Sequence, residues 1–168
     1  MYEILTVYHG GTEEIKSPLV HVGRPNLDFG PGFYVTDIYL QAKEWAEQMA
    51  ALRNLPPIVS VYHLRQQDII GYGNAKIFTE YDNEWLEFVV MNRMGKDLWK
   101  GYNYIEGGVA NDRVINTVRL YMTGFISADE AIRRLKYFKP TNQICILNQQ
   151  LLDEHMTFIE SKKLGKDE

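Results

Sequence analysis

The order of apolar and polar residues divides the chain into short β-type runs and longer helical stripes. Residues 3–8 (EILTVY) are β-prone and stop at Gly10-Gly11, which predicts a strand ending in a tight turn. Residues 18–22 predict a short second strand. Residues 23–32 (GRPNLDFGPG) carry three glycines and two prolines and read as loop. A short strand is expected at 33–36 (FYVT). Thr36 or Asp37 can cap the next helix, whose apolar stripe is Ala42, Trp45, Ala46, Met49 and Leu52, and Pro56-Pro57 ends it. Residues 58–64 (IVSVYHL) alternate as a strand. A turn at 71–74 and a strand at 75–79 are expected next. Helices follow at 82–93 and after Asn111. The second of these turns Val114, Val118, Leu120 and Tyr121 inward and closes at Gly124. Ser127 and Glu130 form a capping box for a further helix carrying Ala131, Ile132 and Leu135, which Pro140 ends. Residues 143–147 (QICIL) predict a last strand, and 161–168 a polar, frayed tail. Strands and helices do not alternate regularly. The expected class is therefore α+β with a split or mixed sheet, in one domain over residues 1–160, and not a doubly wound parallel sheet.

Composition narrows the function classes. The chain has 168 residues, 45% hydrophobic and 24% charged, a globular balance. One cysteine, Cys145, excludes an internal disulfide framework and fits a reducing compartment. The N-terminal MYEILTVYHGG lacks a basic leader before an apolar core, and no apolar run is long enough to span a bilayer. A cytoplasmic location away from membranes is expected. The net charge of −4 argues against broad charge-driven nucleic-acid binding. Eleven tyrosines are many for this length and offer rings to a flat ligand, though core packing is their ordinary use.

Phosphate loops, GxGxxG, CxxC, HExxH and GxSxG are all absent, and the histidines at 9, 21, 63 and 155 have no metal-ligand spacing. No metal is expected. Cys145, inside an apolar strand, reads as a buried inert thiol. What remains is scattered. His9 ends the first strand before Gly10-Gly11, where a ligand can approach the backbone closely. Tyr34 follows a glycine loop, and Trp45 lies on the helix after it. Each has a plain packing use as well.

Together these pieces resemble something known. YHGG, then GPGFYVTD with a helix containing QAKEWA, then NQICIL, resemble the three-part NAD signature of diphtheria-toxin-like and poly(ADP-ribose) polymerase-like ADP-ribosyltransferases. A closer resemblance, over residues 5–150, is to a family of small bacterial proteins of unknown function. That family shares the GRPNLDFGPGFY block, the EWLEFV helix, the VANDR turn and the closing NQ strand. The resemblance implies an ADP-ribosyltransferase-like split sheet flanked by helices. It also implies roles. His9 would bind a ribose hydroxyl of the adenosine half of NAD. Gly10, with Gly11 beside it, would hold the nicotinamide carboxamide by its backbone. Tyr34 would stack on nicotinamide, with Trp45 as a second stacking ring. Ala42 stands where the polymerases carry a serine that bonds the carboxamide. Gln143 stands where they carry the catalytic glutamate.

A glutamine there keeps a hydrogen bond but loses the charge that stabilises an oxocarbenium-like ribose, a change that costs about two or three orders of magnitude in rate. Either the protein is then a slow or non-catalytic NAD binder, or another acid supplies the charge, from Glu84, Glu87, Glu106, Asp112 and Asp28, with Asp112 or Glu84 the first choice. As plain structure, Glu84 is a first-turn helix charge and Asp112 a cap. Arg24 and Asp28 in the glycine loop, and Arg113, are candidates for the cofactor phosphates or the acceptor. The implied activity is cleavage of NAD with transfer of ADP-ribose to a macromolecule, in the setting of a bacterial toxin paired with a small antitoxin. A catalytically weak NAD or ADP-ribose binding module and an NAD glycohydrolase are the alternatives.

Overall fold

The computed structural model describes residues 3–22, 26–110, 112–138 and 141–165, with the backbone alone at 112 and 113. The α+β expectation holds: two sheets are combined with helices. The first sheet has the order β1 (Leu5–Gly11), β3 (Ile58–Leu64), β7 (Met156–Lys163), all antiparallel. The second has the order β2 (Phe33–Val35), β6 (Gln143–Ile146), β5 (Tyr104–Gly107), β4 (Ala75–Ile77), antiparallel except for the parallel pair β5–β4. The sheets meet at one antiparallel bridge between Tyr8 and Thr36, with N–H···O bonds of 2.8 and 2.9 Å.

Alternation decides what each face buries. Val7, Tyr62 and Leu64 of the first sheet meet Phe33, Val35, Tyr104, Ile144 and Ile146 of the second in one dry cluster between the sheets. The opposite face of the second sheet supplies Ile105 and Cys145 to a cluster with Phe29, Trp85, Val89, Val118 and Leu135. Three helices build that cluster: α3 (Asn83–Arg93), α4 (Asp112–Met122) and α5 (Ala128–Leu135). Helix α1 (Tyr39–Arg53) lies against β1 and β3. Its buried face is Ala42, Ala46 and Ala50, not the larger stripe read from periodicity: Trp45 is 45% exposed and Leu52 79%. The reason is distance. A Cβ on Gly10 would stand 2.1 Å from the Ala42 carbonyl oxygen, so helix and strand touch backbone to backbone and only alanines fit between.

Several local expectations shift. Residues 18–22 form no strand, because His21 takes a left-handed φ of 62° and breaks the extension. Residues 66–72 form helix α2 (Gln66–Tyr72), which pushes the expected turn to Gly73 and Asn74, both at positive φ. Ser127 caps α5 through Glu130 N–H, but the Glu130 carboxylate turns to Arg133 and Arg134 instead of completing the box. Thr36 accepts from Ile38 N–H just ahead of α1, and the helix has no side-chain cap of its own. Helix α6 (Gln149–His155) and β7 follow β6. The first residues of the expected tail are therefore paired strand: Ser161 sits opposite Ser60, and Leu164 is buried beyond it. No helix among the described residues is long and apolar enough to cross a membrane.

Candidate functional site

The three motifs come together where the two sheets join. His9, on β1, points between the sheets. Its ring stacks on Phe33 at 4.7 Å, and Nδ1 lies 2.7 Å from the Tyr34 carbonyl oxygen. That contact needs Nδ1 to carry the proton, which leaves Nε2 as an acceptor. Burial lowers the His9 pKa, and the bond to the Tyr34 carbonyl opposes this in part. The sign of the linkage follows. His9 binds protons less readily folded than unfolded, so its contribution is complete above the unfolded value of about 6.5. It declines as pH falls from there toward the folded pKa, by at most about 1.4 kcal/mol per pH unit. Denaturation midpoints between pH 7 and 5 should therefore fall more steeply for the parent than for His9→Gln; parallel curves would sink this.

Tyr34 occupies the middle of β2 and faces the opposite way, onto the helical side of the second sheet. Its hydroxyl donates to Gly30 O at 2.6 Å and accepts from Phe29 N–H at 3.0 Å. Burial raises its pKa well above the ordinary tyrosine value. Tyr34 thus locks the end of the glycine-rich loop. Across the strand pair stands Cys145, fully buried, its thiol pushed up to about 12 by that burial. The inert thiol expected from the sequence fits this surrounding.

Gln143 lies two residues before Cys145 on the same face and is 8% exposed. Its Nε2 donates to Asp28 Oδ2 at 3.4 Å. Asp28 is the centre of a buried polar knot. Oδ1 receives Arg93 Nε and Nη2, each at 2.6 Å, Oδ2 receives Ala110 N–H at 3.1 Å, and its carbonyl receives Asn92 Nδ2 at 2.9 Å. Asp28 therefore stands under the sheet, not at a surface loop facing a phosphate. Arg93 carried no signal in the sequence, being 65 residues from its partner.

A second polar group lies on the other side of β6. Asn142 is held to the start of α1 by two bonds, Gln41 Nε2 to Asn142 O at 2.8 Å and Asn142 N to Gln41 Oε1 at 3.1 Å. Asn142 Nδ2 donates to Asp37 Oδ1 and to Glu106 Oε2, each at 3.0 Å. Glu106 Oε1 also receives Tyr104 O–H at 2.5 Å and Gln66 Nε2 at 3.1 Å. Trp45 is one helical turn beyond Gln41, so it shares that flank of α1. The fold thus gathers Gly10 beneath α1, Gln41 and Trp45 on the flank of α1, and Asn142, Asp37 and Glu106 beside them.

The remaining candidates stand elsewhere or outside the described residues. Glu84 is 61% exposed at the start of α3 and ion-paired with Lys76. Gly11 pairs with Ile58 at the end of β1. Arg24 and the side chains of Asp112 and Arg113 lie outside the described residues. Of the residues just assembled, Glu106 stood among the candidate acids, and Gln41 and Asn142 open the QAKEWA and NQICIL segments without having been singled out, whereas Tyr104 had no local signal; only the fold brings them together.

A family model described as a protein of unknown function (DUF3990) matches residues 5–158. No curated protein and no solved structure matches the chain.

Proposed function

The chain belongs to the DUF3990 family, whose description assigns no activity, and from its geometry we propose an NAD-dependent ADP-ribosyltransferase. One observation carries the reading. Three segments far apart in the sequence, each weak alone, form adjoining strands at the seam of a split sheet: His9 bonds the Tyr34 carbonyl, and Tyr34 pairs with Cys145 beside Gln143. A ligand at such a seam meets the backbone of β1 at its glycines and an aromatic ring on α1. In this reading Gly10 and Gly11 receive the nicotinamide carboxamide, Trp45 supplies a ring face, and His9 Nε2 accepts from a ribose hydroxyl; Tyr34, expected to stack on nicotinamide, packs on the helical side and holds the glycine loop instead. The nicotinamide–ribose bond breaks, the electron pair leaves with nicotinamide, and the ribose passes to an acceptor on a macromolecule. Action as a cytoplasmic toxin held by a small antitoxin is part of the same proposal.

A second reading is favoured by the Asp28 knot. Gln143 is turned into it and held by a carboxylate already paired with Arg93. A protein in this state binds NAD or ADP-ribose without turnover. Labelled NAD incubated with the protein and cell lysate separates the outcomes. Label on macromolecules supports transfer, free ADP-ribose supports a glycohydrolase, and bound but intact NAD supports the binding module.

Trp45 gives the cleanest binding test, because it stands outside the buried alanine face of α1. Stacking of this kind is worth about 0.5–1.5 kcal/mol, so Trp45→Ala should weaken NAD binding by roughly 2- to 13-fold in calorimetry. Tyr34→Phe, which keeps the ring, should bind closer to the parent than Tyr34→Ala does. A parent that takes up no NAD at millimolar concentration ends the reading.

A further inference from the structure

We propose that Glu106, on β5, is the carboxylate of the reaction, in place of the acid missing from the third motif; this rests on the ADP-ribosyl transfer reading. The chemistry sets the requirement. Loss of nicotinamide leaves positive charge on the ribose ring, and a nearby carboxylate stabilises it far better than an amide does. The third motif offers only the amides Asn142 and Gln143. An acid must then reach the same place from another strand.

The candidate acids differ in what already holds them. Asp28 is 7% exposed and neutralised by two Arg93 bonds. Glu84 is paired with Lys76 and stands out in solvent at 61% exposure. Glu87 is exposed on α3, away from the seam. Glu106 is different in three respects. It is half-buried and lies directly across from Ile144, the residue after Gln143. Its bonding partners, Tyr104 O–H, Gln66 N–H and Asn142 N–H, are all neutral donors, and among the described residues no cation pairs with it. Those donors fix the carboxylate in one orientation while its charge stays uncompensated. Among the described residues Oε2 accepts the Asn142 bond alone, which leaves a lone pair for a ligand.

Connection to the ligand runs through Asn142. Its side chain contacts Glu106, its backbone is clamped by Gln41, and Gln41 shares the α1 flank with the exposed ring of Trp45. A nicotinamide stacked on Trp45 brings its ribose toward this end of β6. Glu106 then acts at two moments. It stabilises the ribose cation as the C–N bond breaks and the electron pair departs with nicotinamide. It then takes the proton from the acceptor hydroxyl or amine as the new bond to the ribose carbon forms. Asn142 and Tyr104 are positioning residues, holding the carboxylate without touching the reacting atoms.

The test uses the full chain with NAD labelled in the nicotinamide ring, reading nicotinamide release and, separately, NAD affinity by calorimetry. Glu106→Gln should cut release by about 100-fold or more, the scale for losing a preorganised charged group, with NAD affinity kept within about three-fold. Glu106→Ala should be equally slow and should recover in added sodium formate, which a purely structural loss would not do. Glu106→Asp should fall between the two and guards against a fold defect in the larger changes. A parent that turns NAD over while Glu106→Gln matches its rate overturns the role of Glu106 and leaves the transferase reading standing. A parent that binds NAD without releasing nicotinamide overturns the role of Glu106 and leaves the binding module. A parent that binds no NAD overturns both.

Discussion

Asp28→Ala should unfold more readily than the parent by about 3 kcal/mol. Removing one partner of a buried ion pair costs about 3–5 kcal/mol, and the lower end applies because the Arg93 side chain keeps 28% of its exposure. The substitution does more than cancel a charge. It strips the acceptor from Arg93, from Ala110 N–H and from Gln143 Nε2 together, and among the described residues none of these donors has another partner. The loop ending in Phe29 and Gly30 loses its anchor to α3 at the same time. A natural domain has only about 5–15 kcal/mol in hand, so the loss is a large share of the whole. Urea titration should show the midpoint falling with an unchanged slope; a loss under about 1 kcal/mol means that the knot contributes nothing net. Asp28→Asn keeps one oxygen acceptor and should fall between parent and alanine.

Gln143→Glu is the second large effect, and it has a definite pH dependence. In the parent the amide donates to Asp28 Oδ2. Glutamate has no donor when ionised and sets a second carboxylate against the first inside a site that is 8% exposed at Gln143 and 7% at Asp28. Burial and like charge both raise the pKa of the new group in the folded state above its unfolded value. The folded state then binds more protons, so stability is greatest below about pH 4.3 and falls as pH rises toward the folded pKa. At pH 7.5 the variant should be less stable than the parent by about 2 kcal/mol or more, and the gap should narrow at pH 5. A gap that is constant with pH would mean that the two carboxylates do not face each other. If the third motif were poised for catalysis as the resemblance to ADP-ribosyltransferases implies, the same substitution would raise nicotinamide release. The two readouts are independent, one a melt and the other a rate.

The sequence announced elements wherever local pattern alone decides the outcome. β3 alternates and is bounded by Pro57 and Arg65, and α5 begins with a serine cap, so both were legible. β1 and β6 were legible because glycines or a proline border apolar runs. β5 was missed because its four residues, Tyr104 to Gly107, show no period and gain their place from the strands on either side, β6 and β4. The end of β7, Ser161–Lys163, was read as the start of a tail because Lys162 and Lys163 look like solvent chemistry; they are, but their backbone is paired to β3, and residues 156–160 drew no reading at all. On α1, Trp45 dominated the periodicity, and the close approach at Gly10, which dictates an alanine face, cannot be seen without the partner strand. The site divides in the same way. His9, Tyr34 and Gln143 were visible as motifs. Their directions were not, since each depends on which face of its strand is inward. Asp28 was read as a surface ligand because an acid in a glycine loop gives no hint of an arginine on a distant helix.

The first sheet joins strands made at widely separated times during synthesis. β3 pairs on one side with β1 and on the other with β7, where Leu64 meets Met156 and Ile58 meets Lys163. Until residues 156–163 leave the ribosome, β3 has an open edge and the dry cluster lacks Met156 and Phe158. The antiparallel β1–β3 pair with α1 can form early, but it stays half-covered while the α3–α5 segment is translated. Closure of the sheet is therefore among the last events, and it brings pairings of high loop-closure cost, second only to those of β2 with β6. This order means that a nascent chain carries its glycine turn and the helix bearing Trp45 long before the seam around them exists.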